Sequence, residues 1–420
     1  MTGMTKAEEF VQIKKRVKSL TAECYKMHKA AWENWPHGEP VKTWFDEDDN
    51  FCIEYESGIK YRRKPEGRRD AGCNEGAVVG MPTKEDLKYF QSMPLDIKVA
   101  MTKTRIREWV NHFGESGVYI SFSGGKDSTV LLHLVRELYP DIPAVFVNTG
   151  LEYPEIQRFV QQFDNTVVLY PRIRFKEVIT TYGYPVISKQ VARKIGSAQK
   201  GERWAMKAVK GELKDRQGNK SRFNVDHYAE LMNADFHISA KCCDIMKKDT
   251  VHRYEKSTKR IPMTAQMACE SSLREANWIA HGCNAFDQIR QISNPMSFWT
   301  ENDVLQYIYE NNIPIATVYG EVIKNDGQMT FDEDLPCTFC TTGCDRTGCM
   351  FCGFGAHLSK VKHFVRLKET HPKQYNFCIG GGFYDSDGLW KPDERGLGLG
   401  HVFDVLNELY SKNGKPFIEY

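Results

Sequence analysis

The sequence predicts an α/β fold in which a mostly parallel sheet is flanked by helices. Three observations predict it. Apolar runs that suit buried strands, such as residues 118–121 and 144–148, alternate with stretches of helical periodicity. A short glycine-rich turn joins the first of these strands to the helix that follows it. A small α+β piece is expected before this core and a Cys-rich region after it, where five cysteines fall between residues 337 and 352.

The predicted elements follow one another in a simple order. Residues 5–35 have the apolar spacing of a helix, and residues 41–63 alternate polar and apolar positions around turn signals, as in a short β-meander. A helix over residues 95–113 leads into the first core strand, and a helix over residues 128–139 separates it from the second. Further strands are predicted at residues 166–169, 186–187 and 261–265. Strand, glycine turn, helix and strand in this order are typical of a parallel βαβ unit.

Length and composition narrow the class of protein. The chain has 420 residues, of which 41% are hydrophobic, enough for two or three domains. We expect these at residues 1–92, 93–325 and 326–420. The net charge of +2 does not favour nucleic acid or membrane as a general partner, and no apolar run has the length of a membrane span. Because the first residues lack the apolar core of a signal peptide, we expect a cytoplasmic protein in which some of the 13 cysteines serve metal or redox chemistry.

The glycine-rich turn is the strongest functional signal. A turn between a buried strand and a helix N-terminus offers unpaired backbone N–H groups and the positive end of the helix dipole to an anion. An ordinary connection with no ligand is the alternative. The direct succession of Lys126 and Asp127 disfavours a Walker P-loop, which ends in Gly-Lys-Ser/Thr. The residues expected to bind a phosphate are Ser121, Ser123, Gly124, Gly125, Lys126, Asp127, Ser128 and Thr129.

The stretch Ser123-Gly124-Gly125-Lys126-Asp127-Ser128 resembles the pyrophosphate-binding loop of the ATP pyrophosphatase (PP-loop) superfamily. Four further stretches narrow the resemblance to its phosphoadenosine phosphosulfate (PAPS) reductase-like branch. They are "FVNTGLEYPE" at residues 146–155, "GYPVISKQVARK" at 183–194, "ACESSLRE" at 268–275 and "NPMSFWTENDVLQYI" at 294–308. The resemblance covers about residues 95–406 and implies an adenine nucleotide alpha hydrolase-like fold.

The resemblance also implies a ligand and a set of side chains. The nucleotide is ATP or an adenylyl sulfate, bound with Mg²⁺, and the enzyme acts at the α-phosphate. Such chemistry depends on positioning and on charge stabilisation, which four cations would supply: Lys126, Lys189, Arg193 and Arg274. Asp127 would hold Mg²⁺ or orient the lysine, whereas an i,i+4 pair with Glu270 is the alternative for Arg274. Residues expected near the adenosine are Asn148, Thr149, Gly150 and Glu152.

Two metal sites are compatible with the cysteines. The resemblance to adenylyl-sulfate reductases implies that a Cys-Cys pair and a distant Cys-x-x-Cys hold a [4Fe–4S] cluster, here Cys242, Cys243, Cys349 and Cys352. The alternative is zinc, with Cys337 and Cys340 pairing with Cys349 and Cys352, or a second site that includes Cys344.

The family's reductases carry a nucleophilic cysteine in a Glu-Cys-Gly-x-His tail, whereas this sequence ends "GKPFIEY". Cys378 lacks those neighbours and is expected to be a core or loop cysteine. We therefore expect an enzyme that adenylates a substrate for sulfur or group transfer and uses a sulfur donor. The alternatives are a sulfonucleotide reductase with a thioredoxin-like reductant and a non-catalytic nucleotide sensor. The sequence does not indicate the oligomeric state.

One basic segment stands apart from the nearly neutral chain. Residues 193–222 contain ten Lys or Arg and three Asp or Glu, with Trp204 inside the segment and Phe223 and Tyr228 just beyond it. Cations interleaved with aromatic rings are typical of surfaces that follow a nucleic-acid backbone. The alternative is a solvated helical face.

Overall fold

The computed structural model describes residues 38–45, 51–57, 60–63, 82–325, 339–358 and 362–420, with scattered positions between 17 and 29. Contacts divide the chain into two compact units. The first comprises Met1–Tyr89 with Glu275–Gly282, and the second comprises Phe90–Arg274 with Cys283–Tyr420. Most of the helix predicted over residues 5–35 lies outside the described residues, as does Cys337. None of the helices in the described ranges combines the length and apolar character that a membrane span requires.

The first unit contains the predicted β-meander. Strands β1 (Pro40–Phe45), β2 (Phe51–Tyr55) and β3 (Lys60–Arg63) pair antiparallel in the order β1-β2-β3. Strand β2 buries Ile53 and Tyr55 on alternate positions, and Cys52 beside them is buried as well. The meander is therefore a true three-stranded sheet, as the alternating pattern predicted.

A six-stranded sheet forms the centre of the second unit. It comprises β4 (Val118–Ser121), β5 (Ala144–Val147), β6 (Thr166–Leu169), β8 (Ile261–Met263), β9 (Asn284–Ala285) and β10 (Ile292–Ser293). These strands lie in the order β6-β5-β4-β8-β10-β9, and all neighbours run parallel except the edge strand β9, which is antiparallel to β10. Strands β4 and β5 are buried almost throughout, as expected of parallel strands covered on both faces.

Helices flank this sheet, which confirms the predicted fold class. The helix after the glycine turn begins at Lys126, two residues earlier than predicted, because Gly125 has the extended conformation of an N-cap. Over both units, the longer helices of the described ranges are α1 (Lys84–Gln91), α2 (Leu95–Phe113), α3 (Lys126–Leu138), α4 (Pro154–Val160), α5 (Phe175–Tyr182), α6 (Lys189–Gln199), α7 (Arg203–Val209), α8 (Asp249–Thr258), α9 (Ser272–His281), α10 (Glu301–Glu310), α11 (His363–Thr370), α12 (Pro372–Ile379) and α13 (Leu399–Tyr410). Most of α1 and most of α9 belong to the first unit, and the other helices belong to the second.

Three short two-stranded sheets lie in the described part of the second unit, and two of them join the Cys-rich region to earlier segments. Strand β7 (Val186–Ile187) does not extend the central sheet but pairs parallel with β13 (Gly353–Phe354). Strand β11 (Val322–Lys324) pairs antiparallel with β12 (Phe339–Thr341). A third pair joins β14 (Phe383–Tyr384) to β15 (Trp390–Lys391). The pairing of β7 with β13 brings the segment after Tyr184 beside the motif Cys349-x-x-Cys352.

The chain adds successive strands to one side of β4 and then to the other. The chain moves from β4 to β5 and β6 on one side, then returns to place β8 on the other side of β4. Ligands of open α/β sheets bind outside the carboxyl ends of the strands at such a switch point. The glycine turn leaves the carboxyl end of β4, so it lies at the position where this architecture forms a binding crevice.

Candidate nucleotide site and cysteine cavity

The glycine turn is shaped by its own hydroxyl groups. The backbone N–H of Ser123 donates to Ser128 Oγ at 3.2 Å, and Ser128 Oγ donates to the carbonyl of Gly125 at 3.0 Å. Thr129 Oγ1 donates to the same carbonyl at 2.9 Å. The N–H of Gly125 donates to Ser123 Oγ at 3.3 Å, so these bonds hold the turn at the start of α3 in one conformation. The N–H groups of Ser123 and Gly125 are engaged within the turn, and those of the first turn of α3 are the donors oriented toward an anion.

Two features of the turn require glycine at position 124: the backbone conformation and the lack of space for a side chain. Its φ is +72°, and a Cβ at this position would lie 2.8 Å from Cγ2 of Ile156 and 2.8 Å from Cγ2 of Val160 on α4. A side chain here would therefore push the turn away from α4. The close approach explains why the turn has a glycine at its first glycine position.

Replacing Gly124 by Ala should destabilise the protein by more than the ~1–2 kcal/mol that a left-handed conformation costs alone. Gly414→Ala is the matched control, because Gly414 has a φ of +73° and a Cβ added there would have no atom within 4 Å. Thermal or urea unfolding of both variants measures the difference. Equal losses of stability would show that the contact with α4 does not restrict this position.

Lys126 is the buried cation of the site. Its side chain is 4% exposed, and Nζ lies 2.9 Å from Oε1 of Glu301 at the start of α10. Nζ also lies 5.5 Å from the centroid of the Tyr319 ring. The sequence predicted neither Glu301 nor Tyr319, since no local pattern relates them to a turn some 175 residues earlier. The lysine is thus fixed against the turn by groups from distant segments.

Two arginines lie near Asp127. Burial raises the pKa of Asp127, an effect that the charges of Lys126, Arg346 and Arg274 oppose. Arg274 forms the i,i+4 ion pair with Glu270 that was the alternative interpretation, and it also interacts electrostatically with Asp127. Its role as a phosphate cation stays a prediction. Arg346 was not predicted, because the cysteines around it indicate metal ligation rather than a phosphate contact.

The loop after β5 is held by internal hydrogen bonds. Glu152 is 7% exposed, and its carboxylate accepts bonds from the backbone N–H of Thr149 at 2.9 Å and from Thr149 Oγ1 at 2.8 Å. Asn148 Oδ1 accepts from the N–H of Gly150 at 3.0 Å. The side chains of Glu152 and Thr149 are thereby committed to the loop. Direct contact of this loop with adenosine stays a prediction.

The four cysteines expected to hold a cluster line one cavity. Cys242 and Cys243 lie in a one-turn helix (Lys241–Cys243) that continues through a π-helical turn (Asp244–Lys248) into α8. Cys349 and Cys352 come from the segment that β13 joins to β7. Thr149, Leu151, Phe175, Pro185, Met246, Lys247 and Phe351 complete the lining. The fold thus brings together two cysteine pairs that are about a hundred residues apart in the sequence.

The environment of this cavity is partly cationic. A hydrogen bond between the adjacent thiols raises the pKa of Cys242 and lowers that of Cys243, and Lys189 and Lys247 also lower the pKa of Cys243. Burial raises the pKa of Cys352 to about 11. Lys247 Nζ lies 3.6 Å from Oε1 of Glu152, so this lysine is shared between the cavity and the loop after β5. Cations beside thiols stabilise the thiolate form that metals bind.

The cysteines that only the zinc alternative uses are placed differently. Cys337 lies outside the described residues, and Cys340 donates to Asn325 Oδ1 at 3.7 Å. Cys344 is 6% exposed and, like Cys340, does not line the cavity. Within the described ranges, no three His, Cys, Asp or Glu side chains are close enough to hold a single metal ion.

Two of the cations predicted to act on the phosphate, Lys189 and Arg193, interact with side chains outside the glycine turn. Lys189, at the start of α6, is next to Cys243. The guanidinium of Arg193 lies 5.8 Å from the centroid of the Trp204 ring. Their contact with a nucleotide stays a prediction.

Cys378 is a core residue. Its side chain in α12 is 0% exposed, and burial raises the pKa of its thiol. The structure therefore confirms the expectation from the sequence, and this thiol has neither the access nor the acidity of a nucleophile.

Comparison with known proteins relates this site to one family. The family described as the phosphoadenosine phosphosulfate reductase domain matches residues 117–195 and 201–353, more than half of the chain. An uncharacterized protein of Methanocaldococcus jannaschii is 24% identical over 61% of this chain and 45% of its own length. The chain thus spans less than half of that relative. Sulfate adenylyltransferase subunit 2 of Zymomonas mobilis is 26% identical over 54% of this chain and 69% of its own length.

Among solved structures, the PAPS reductase of Candida auris in its phosphate complex covers 56% of this chain and 90% of its own, with 14% identity and a TM-score of 0.31. The family match includes the glycine turn, all four cysteines of the cavity and most of the basic segment. The chain belongs to the phosphoadenosine phosphosulfate reductase domain family.

Proposed function

We propose that this protein binds ATP at the glycine turn and transfers the adenylyl group to an acceptor. The observation that carries the proposal is the position of the turn. It lies at the switch point of the sheet, its backbone N–H groups begin α3, and the cations Lys126, Arg274 and Arg346 surround Asp127 beside it. Triphosphate is the anion that such a charge pattern suits, with Mg²⁺ drawn to the carboxylate of Asp127.

The reaction at this site needs little covalent chemistry from the protein. A nucleophilic oxygen of the acceptor attacks the α-phosphorus, the bond to the bridging α–β oxygen breaks, and pyrophosphate leaves with the bonding electrons. Lys126 and the turn stabilise charge on the phosphate oxygens. Arg274 and Arg346 neutralise the leaving group. A sulfur donor would then displace AMP from the activated acceptor.

We further propose that Cys242, Cys243, Cys349 and Cys352 hold a [4Fe–4S] cluster. The support is the donor set, because four thiols from two distant segments line one cavity with cations beside them. Thiolates around a single zinc ion lie within roughly 4 Å of one another. A cubane binds its ligands through four separate iron atoms and therefore spaces them more widely. Such a cluster supplies one-electron chemistry or structural support, and the adenylyl transfer does not depend on it.

A variant of Lys126 tests the nucleotide site. Lys126→Ala should weaken ATP binding by ~1.5–3 kcal/mol, because it removes a charge-assisted contact to phosphate. Lys103→Ala is the control, since Lys103 forms an ion pair with Glu137 on α3 at 3.0 Å without belonging to the turn. Calorimetry with ATP and Mg²⁺ measures both. Equal affinity of Lys126→Ala and the unmodified protein would refute the site assignment.

A further inference from the structure

The basic segment, residues 193–222, forms an exposed cationic surface. It comprises the part of α6 from Arg193 onward, α7 and the loop up to Arg222. Nine of its ten Lys and Arg residues are exposed, Lys194 being the exception at 9%. Among the described residues, Lys220 is the sole member of this set with a carboxylate ion-pair partner, Asp226 at 2.7 Å. The segment therefore carries an excess of positive charge that internal pairing does not neutralise.

Two exposed aromatic side chains lie among these cations, and contacts with neighbouring side chains hold them in place. Trp204 is 44% exposed, and its indole N–H donates to Glu202 Oε2 at 2.6 Å. Phe223 is 50% exposed and lies 5.1 Å from the guanidinium carbon of Arg222, measured to the ring centroid. What sets these two rings apart from other exposed aromatic residues is their position among cations, which suits a ligand that is both planar and anionic.

Helix α6 anchors both rings. Arg193 lies over the Trp204 ring, and the next residue, Lys194, lies 5.5 Å from the centroid of the Phe223 ring while its Nζ donates to the Phe223 carbonyl. Because the two anchors are consecutive, the rings flank the same turn of α6. The cations hold the rings in place, and each ring remains exposed to solvent over a large part of its surface.

We propose that this surface, defined by Arg193, Trp204, Lys207, Lys210, Arg222 and Phe223, binds single-stranded nucleic acid. Unpaired bases stack on exposed aromatic rings, and a phosphodiester backbone neutralises the surrounding cations. The bases of a duplex do not stack on the rings, because they are already stacked on one another. The inference does not depend on the proposed adenylyl transfer, because binding here needs neither ATP nor the cysteine cavity.

Fluorescence anisotropy with labelled oligonucleotides of about 15 residues tests the proposal in the absence of ATP. Single-stranded RNA, single-stranded DNA and duplex DNA form three arms. We expect binding to at least one single strand and weaker binding to the duplex. Trp204→Ala and Phe223→Ala should each raise Kd about fivefold or more. Tyr170→Ala, which removes an aromatic residue 65% exposed outside this surface, should not.

A charge variant separates stacking from general attraction. Lys207→Gln/Lys210→Gln should reduce the slope of log Kd against log salt by about 1.4, since each phosphate contact on a single strand contributes about 0.7. The matched control is Lys412→Gln/Lys415→Gln, two exposed lysines near the C-terminus. Circular dichroism verifies that each variant is folded. The proposal is overturned if no single strand binds, if the duplex binds as tightly, or if the ring variants match Tyr170→Ala.

Discussion

The protein purified without oxygen should be brown and contain about four iron atoms and four sulfides per chain. Cys243→Ser and Cys352→Ser should each lose most of the colour and iron, because a serine hydroxyl is a poor substitute for a thiolate at iron. These two variants change one member of each pair that lines the cavity. Visible absorbance together with iron and sulfide analysis provides the measurement.

Cys340→Ser is the matched control for the cluster. Cys340 lies in β12, does not line the cavity and donates to Asn325, so its loss should leave the iron content unchanged. The zinc arrangement predicts the reverse: a colourless protein in which Cys243→Ser keeps its metal and Cys340→Ser loses it. Since the two patterns are mutually exclusive, one set of three variants decides between them.

Incubated with an adenylyl sulfate and a thioredoxin-type reductant, the protein should release no sulfite. Reduction of the sulfate group requires a thiolate that attacks sulfur, and the candidate cysteine, Cys378, is 0% exposed with a raised pKa. ATP should instead be cleaved to AMP and pyrophosphate, slowly alone and faster with the acceptor, because an acceptor positioned for attack lowers the entropic cost of the reaction.

The variant Cys378→Ser tests the alternative, a sulfonucleotide reductase. If the unmodified protein releases sulfite and Cys378→Ser abolishes that release while retaining its iron, then α12 opens during turnover and the protein is a sulfonucleotide reductase. Retention of iron matters here, because a loss of cluster in the same variant would reflect damage to the core rather than removal of a nucleophile.

Local patterns predicted the elements of the fold well. The bounds of α2, β4 and β6 match their predicted ranges, since apolar periodicity and clear turn signals determine those elements. Strand β7 was placed correctly along the chain, but its partner is β13 of the Cys-rich region. Two residues of extended chain carry no information about which sheet they join, and only the tertiary structure supplies it.

The candidate site was predictable where its residues are consecutive. The turn from Ser123 to Ser128 is a compact pattern with a direct physical meaning. Glu301 and Arg346 approach it from segments far along the chain, and neither has a local signature that distinguishes it from an ordinary surface charge. The two cysteine pairs were associated by resemblance to a family, and the structure shows that they line one cavity. Spacing alone left a zinc site as the alternative.

The products formed from ATP test the central claim most directly. Phosphorus NMR of the purified protein with ATP and Mg²⁺ distinguishes cleavage between the α- and β-phosphates from cleavage between the β- and γ-phosphates. We predict AMP and pyrophosphate, with formation reduced in Lys126→Ala and unchanged in Lys103→Ala. Formation of ADP and orthophosphate, or equal AMP formation by Lys126→Ala and the unmodified protein, would contradict adenylyl transfer at the glycine turn.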